Sequence, residues 1–155
     1  MALRKADSAG YLANHMARLF AIALSERLQP LGLATAQFAV LLELWDRDAV
    51  TQKDLVERLD IEQATVGNTL QRMQRDGLIV RKPHPSDGRS QIVCLTPKAR
   101  ALEKPATRHA MEVNSLALEA LTEHERGELL ALMRKVVETQ RTQRRPAKDP
   151  SWGAA

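Results

Sequence analysis

The chain has 155 residues, of which 44% are hydrophobic and only 3% aromatic, and its formal net charge is +4. This length fits a single domain, and a core poor in aromatics favours packed helices over a sandwich of aromatic pairs. The single cysteine, Cys94, excludes an intrachain disulfide and a metal cluster built from cysteines.

The basic residues are concentrated in two stretches. Residues 134–148 contain six Lys or Arg against one acid, and residues 63–90 contain five against two. A nucleic-acid partner and a solvated basic tail both fit this charge, so the charge alone does not distinguish between them. The Pro- and Ala-rich residues 146–155 are expected to be a flexible tail. Without a signal peptide or an apolar run long enough to span a membrane, the chain is predicted to be cytoplasmic.

Two longer helices are predicted first. Residues 11–29 carry apolar side chains at spacings of three and four, and Pro30 ends the pattern. Thr35 is expected to cap a second helix, which has an apolar face that includes Trp45 and ends near Asp48.

Two short helices and a hairpin are predicted next. Thr51 opens a capping box for a helix over 52–59, Asp60 interrupts it, and a second short helix covers about 62–76. Gly77 occupies the position after that helix where glycine is favoured. Two β-type runs then flank a polar turn at 85–88.

The C-terminal part of the chain is again predicted to be helical. Thr96 and Pro97 form a helix start, and Pro105 should kink or break that helix. A second capping box, Thr122 to Glu125, opens the last helix.

The second short helix has two distinct faces. At about 100° per residue, Val66, Leu70 and Met73 form one stripe that is predicted to be buried. The opposite side and its flanks carry amides, methyl groups and guanidinium groups but no acid: Ala64, Thr65, Asn68, Gln71, Arg72 and Arg75. These groups suit readout of bases in a major groove. An ordinary solvated helix face is the alternative, but a capped helix before and a hairpin after favour a winged helix-turn-helix.

Three residues outside that helix are further candidates for DNA contact. Thr51 begins the first short helix, where its side chain and backbone N–H groups can hold a phosphate. Arg89 at the hairpin tip can enter a minor groove. Asp87 is expected to orient Arg89 or to tie the loop down. Helix capping and a generic Asp-Gly turn are the structural alternatives.

Over roughly residues 8–142 the sequence resembles the MarR-type (multiple antibiotic resistance) transcriptional regulators. The most specific element is "DGRSQIVCLT", supported by "TQKDLVERLDIEQATVGNTLQRMQRDGLIVR" and "LTEHERGELLALM". The resemblance implies a mainly α fold with a small β-hairpin wing. A winged helix-turn-helix lobe, 35–96, would lie between dimerisation helices, 8–33 and 97–145. Three positions depart from the family pattern: Asp60 and Ala99, where Gly is frequent, and Asn68, where Arg is frequent.

The resemblance further implies a cytoplasmic bacterial homodimer that binds a palindromic operator in double-stranded DNA, most simply as a repressor, with no cofactor or metal. It assigns to the recognition helix Gln63, Ala64, Thr65, Asn68, Thr69 and Arg72. Arg89 becomes the wing residue and Asp87 its partner, with Thr51 and Arg75 as the further candidates from the residue pattern.

Many members of the family release DNA when a small aromatic or phenolic acid binds between their lobes. The candidate pocket residues here are Tyr11, His15, Arg18 and Trp45. The alternatives are a surface position for His15 and a core position for Trp45. Cys94 is read as a small hydrophobe.

Two other functions compete with DNA recognition. A winged helix could bind an acidic protein through Arg72, Arg75 and Arg89, although such an interface should offer aromatic anchors. An enzyme is disfavoured because the sequence contains no evident nucleophile–base pair, metal-ligand spacing or Gly-rich phosphate loop.

Overall fold

The computed structural model of the chain describes residues 4–144, so the predicted flexible tail, 146–155, lies outside the described residues. These residues divide into two compact units, with the boundary between Asn114 and Ser115. The described residues form six α-helices and three β-strands: α1 Ala9–Leu28, α2 Thr35–Asp46, β1 Val50–Thr51, α3 Gln52–Leu59, α4 Gln63–Arg75, β2 Ile79–Pro83, β3 Gln91–Leu95, α5 Pro97–Ala117 and α6 Glu123–Arg144. The predicted fold class, mainly α with a winged helix-turn-helix, is confirmed.

The starts of the first two helices differ in detail from the prediction. The Ser8 side chain accepts a hydrogen bond from the Tyr11 N–H, so α1 begins at Ala9, two residues earlier than expected. The prediction that Thr35 caps α2 is wrong. Ala34 is the extended cap residue, and its N–H donates to Gln37 Oε1 at 3.1 Å. The side chain of Gln37 thus satisfies the backbone donor at the cap, where Ala34 itself has no polar group.

The predicted helix-turn-helix is present. Thr51 Oγ1 accepts from the Asp54 N–H at 3.1 Å, while Asp54 Oδ2 accepts from the Thr51 N–H at 2.9 Å. Asp60 ends α3 in the left-handed region at φ 52°, a conformation that aspartate tolerates at modest cost. Gly77, at φ 72°, follows α4 as predicted.

The wing is a three-stranded antiparallel sheet with the order β1-β3-β2. Sequence reasoning predicted the β2–β3 hairpin and missed β1, in which Val50 faces Val93 of β3. At the far end of β3, Thr96 Oγ1 accepts from the Ala99 N–H at 3.2 Å and so caps α5 as predicted. The sheet therefore joins the start of α3 to the start of α5.

One hydrophobic core holds the first unit together, with Leu41, Leu44, Leu55, Leu70 and Met73 fully buried. It also encloses Ala99, where the small side chain fits a site with no exposed surface.

Helix α5 passes through Pro105 without interruption from Pro97 to Ala117. The predicted break is therefore wrong. The alternative, a kink at Pro105, stays a prediction, because Pro105 lacks the N–H that would bond the carbonyl four residues earlier. The next residue, Ala106, is fully buried in the hydrophobic core.

The second unit is dominated by α6. Its predicted capping box is present, because Glu125 Oε2 accepts from the Thr122 N–H at 2.8 Å and Thr122 Oγ1 accepts from the Glu125 N–H at 3.2 Å. No residue of α6 is buried, although the helix carries several large apolar side chains. Among residues 4–144, no helix has the length and apolarity needed to cross a bilayer.

Candidate nucleic-acid interface

Helix α4 has the two faces that the sequence predicts. Val66 is 1% exposed, and Leu70 and Met73 are fully buried. The residues proposed for base contact lie on the solvent side and are exposed: Gln63, Ala64, Thr65, Asn68, Arg72 and Arg75. Thr69 is half-buried, and its hydroxyl donates to the Thr65 carbonyl at 2.9 Å. The buried stripe fixes the rotation of the helix, so the polar face is presented outward as one surface.

The C-terminal end of α4 is held by a buried glutamine. Gln37 is 6% exposed, and its Nε2 donates to Asp76 Oδ2 at 2.9 Å. The Lys98 ammonium also donates to the Asp76 carbonyl oxygen at 2.8 Å. The bond from Gln37 and the neighbouring Arg75 guanidinium lower the pKa of the Asp76 carboxyl below its usual 3.8. Helix α2 and the start of α5 are thereby both tied to the end of the candidate recognition helix.

Thr51 acts as a helix cap and is also the second residue of β1 in the wing sheet. The N–H and hydroxyl of Thr51 lower the pKa of the Asp54 carboxyl below its usual 3.8. Thr51 pairs with Ile92 of β3, which brings the N-terminus of α3 alongside the hairpin. The capping alternative is therefore observed, and the same residue borders the cavity described below.

The wing loop is shaped by Asp87. Its Oδ1 accepts from the Arg89 backbone N–H at 3.0 Å, and the Asp87 carbonyl accepts from the Ser90 N–H at 3.1 Å. Asp87 thus orders the backbone that carries Arg89. Of the two predicted roles, orienting Arg89 and tying the loop down, these hydrogen bonds correspond to the second. The Arg89 side chain is exposed at the tip of the loop.

An open cavity of about 620 Å³ separates α3 from the wing. Its lining includes Thr51 and Arg89, two of the predicted residues that are far apart in the sequence. It also includes three residues that sequence reasoning missed: Gln52, Lys53 and Arg81. Lys53, Arg81 and Arg89 make the lining cationic, which suits a phosphate group. The missing signal was β1, whose pairing with β3 brings the start of α3 beside the hairpin.

The four candidate effector residues are not brought together into one described cavity. Tyr11 and His15 lie one turn apart on α1 with ring centroids at 6.1 Å, and both are exposed, as is Arg18. Trp45 instead packs edge-on against Phe38 at 6.0 Å. Its indole N–H donates to the Ala99 carbonyl at 3.1 Å, so its polar group is engaged between α2 and α5. This arrangement supports the core alternative for Trp45, and the effector role of the four residues stays a prediction.

The capped helix pair, the acid-free outer face of α4 and the three-stranded wing define a winged helix-turn-helix protein. A family model described as the MarR family matches residues 31–90. The chain is 33% identical over 113 residues to an HTH-type transcriptional regulator from Bacillus cereus, covering 72% of this chain and 75% of the relative. It is 30% identical over 107 residues to the HTH-type transcriptional repressor NicR from Pseudomonas putida, covering 69% and 68%.

Solved structures have the same fold. BpsR from Bordetella bronchiseptica, whose DNA binding is regulated by 6-hydroxynicotinic acid, superposes with a TM-score of 0.81 at 27% identity. The match covers 88% of this chain and 98% of BpsR. A MarR variant from E. coli complexed with operator DNA superposes with a TM-score of 0.77 at 26% identity, covering 82% and 91%. The chain therefore belongs to the MarR family and is a DNA-binding transcriptional regulator.

Proposed function

We propose that the chain is a homodimeric repressor that binds a palindromic operator and is released by a small aromatic acid. The observation that supports recognition of a DNA sequence is the chemistry of the outer face of α4. It exposes amides, methyl groups and guanidinium groups over residues 63–75, a helix that contains no acid. As such a regulator it would act in the cytoplasm, where bacterial DNA is located.

The residue roles follow from the positions on α4 and the wing. Asn68 suits the adenine edge, and the methyl groups of Ala64 and Thr65 suit a thymine methyl. Gln63 and Thr69 would support that readout from the same helix, and Arg72 and Arg75 would take guanine or phosphate.

The residues around the wing would contact the DNA backbone and the adjacent groove. Thr51 would hold a phosphate at the start of α3. Arg89 would contact the minor groove or its phosphates from a loop that Asp87 orders.

The proposed dimer is supported by large apolar side chains that the single chain leaves exposed. On α1 these include Leu19 and Ile22, each 57% exposed, and on α6 Val136 and Val137, at 56% and 52%. Large exposed apolar surfaces often mark protein–protein interaction sites. We propose that 8–33 and 97–145 form the dimerisation region and 35–96 the DNA-binding lobe.

The dimer proposal is tested by Val137→Glu, which places a charge among the exposed apolar side chains of α6. We expect dissociation in sedimentation velocity together with loss of operator binding. Lys135→Glu, about 160° around the same helix from Val137 and about 100° from Val136, is the control and should leave the dimer intact. A Val137→Glu protein that stays dimeric would remove α6 from the interface.

The effector proposal is supported by relatives. NicR is named a repressor, and the DNA binding of BpsR is regulated by an aromatic acid, 6-hydroxynicotinic acid. Tyr11, His15, Arg18 and Trp45 remain the candidate pocket residues. A thermal-shift screen of aromatic acids, followed by operator release, tests this part. Compounds that raise the melting temperature but leave the operator bound would contradict it.

Operator binding is tested by fluorescence anisotropy with a duplex selected from a random library. We expect half-sites about 10 base pairs apart, one turn of DNA, and an affinity that falls with salt. Equal affinity for the selected duplex and a scrambled one would refute sequence-specific reading. Strong binding to an acidic protein with no DNA preference would favour the interaction-module alternative.

The role of Arg89 is tested by Arg89→Ala, with Arg108→Ala on α5 as a control that removes the same charge elsewhere. If Arg89 binds phosphate, the dimer loses two contacts, and the slope of log K against log salt becomes shallower by about 2. If Arg89 reads groove shape, the preference between A·T-rich and G·C-rich flanks falls instead. Unchanged affinity at matched salt would reduce the wing tip to a spacer.

A further inference from the structure

The side chain of Gln52 lies where α3, the wing and α4 meet. Its Oε1 accepts a hydrogen bond from Arg81 Nη1 of β2 at 3.3 Å. Its Nε2 lies 3.5 Å from the carbonyl oxygen of Gln63, the first residue of α4. Gln52 and Arg81 are both half-buried. One amide therefore bridges the wing strand and the beginning of the candidate recognition helix.

Gly67 provides the space for this amide. Glycine in the interior of a helix is destabilising relative to alanine, so its presence in α4 needs a reason. A Cβ added at Gly67 would lie 3.1 Å from Gln52 Nε2, which is tighter than most real Cβ contacts. That nitrogen is the end of a flexible side chain, so an added methyl group would displace Gln52 rather than disrupt α4.

Arg81 lines the cationic cavity together with Lys53 and Arg89. A long guanidinium side chain that is already held loses less rotamer freedom when it binds an anion. Gln52 offers Arg81 a neutral acceptor, which holds the side chain without neutralising its charge. A carboxylate in this place would pair with Arg81 and repel a phosphate.

We propose that Gln52 is a positioning residue for DNA recognition: it holds Arg81 toward a DNA backbone phosphate in the cavity between α3 and the wing. The same contact couples the wing to the start of α4. This inference rests on the proposed function, because it takes the cavity to face DNA. It adds Arg81 as a phosphate-binding residue.

The first test is a double-mutant cycle of Gln52→Ala, Arg81→Ala and the double variant, measured by operator anisotropy at two salt concentrations. We expect Arg81→Ala to weaken binding and to make the salt slope shallower by about 1 per subunit. Gln52→Ala should weaken binding by about 3- to 10-fold per subunit, and the double variant should match Arg81→Ala alone. Gln29→Ala, an exposed glutamine after α1, is the matched control.

Three outcomes would overturn the inference. Additive losses in the double variant would mean that Gln52 acts independently of Arg81. A lowered melting temperature with wild-type operator affinity would make Gln52 a purely structural residue. Wild-type affinity and stability in Gln52→Ala would leave the contact without a role. A wild-type protein that does not distinguish operator from scrambled duplex would instead refute the proposed function itself.

The second test uses Gly67→Ala in two backgrounds. In the wild type, the new Cβ should displace the Gln52 amide and weaken operator binding to the level of Gln52→Ala. In the Gln52→Ala background, the same change should cause no further loss of affinity and should raise the melting temperature, because alanine favours helix. An equal loss of affinity in both backgrounds would show that the Cβ meets DNA directly and would overturn the role of Gln52.

Discussion

Ala49 offers a sharp test of the backbone path into the wing, because its φ is 58°. An L-residue in this left-handed region costs about 1–2 kcal/mol, which glycine avoids. Ala49→Gly also increases the freedom of the unfolded chain, which costs about 0.4–1 kcal/mol. The net expectation is a stabilisation of about 0.5–1 kcal/mol. The methyl group of Ala49 is exposed, and Asp48 Oδ1 accepts from the backbone N–H at 2.8 Å, so glycine keeps the native hydrogen bond.

The matched control is Ala17→Gly in the middle of α1, where the backbone is right-handed and the side chain is exposed. There the same chemical change should destabilise the protein by about 1 kcal/mol. Urea unfolding followed by far-UV circular dichroism at one protomer concentration measures both variants. The two substitutions should move the midpoint in opposite directions. A midpoint that falls equally in both would show that Ala49 does not adopt the left-handed conformation.

Four further substitutions test a helix cap, the core, the outer face of α4 and the proline in α5. Because the Thr51 N–H holds the pKa of Asp54 below 3.8, the carboxylate stabilises the fold above that pH and the effect is lost as pH falls through the lowered value. Asp54→Asn should therefore lower the melting temperature at pH 7. It should also make the melting temperature fall less steeply as the pH is lowered into the acidic range. Leu70→Ala should cost about 2–5 kcal/mol in urea unfolding, whereas Asn68→Ala should weaken operator binding with little change in stability. Pro105→Ala should stabilise the protein by about 1–3 kcal/mol in urea unfolding, because it restores a helix hydrogen bond. A loss of stability would mean that the packing of α5 depends on the proline.

Local sequence signals were sufficient where the structure depends on neighbours in the chain. The capping box at Thr51, the left-handed Asp60 and the glycine after α4 are set by backbone groups within a few residues. The buried stripe of α4 follows from the helical period alone. For these reasons the helix-turn-helix was predicted almost to the residue.

The sequence failed where distant segments cooperate. Strand β1 has only two residues, Val50 and Thr51, and no periodicity can reveal so short a strand. Its existence depends on β3, some 40 residues later in the chain. Without β1 the cavity beside α3 could not be foreseen, and neither could the contact between Gln52 and Arg81. The cap of α2 was misassigned for a related reason, because the side chain of Gln37 substitutes for the polar group that Ala34 lacks.

The end of α2 connects the wing sheet to the start of α5. Asp48 Oδ1 accepts from the Leu95 N–H at 2.9 Å, and its other oxygen pairs with Arg100. In the last turn of α2, the Trp45 indole N–H donates to the Ala99 carbonyl at 3.1 Å. These contacts fasten the sheet, α2 and the first turn of α5 at separate points. We therefore expect a displacement of the start of α5 to carry the wing and α2 with it as one body. An effector would then change operator affinity by moving the whole lobe, not the hairpin alone.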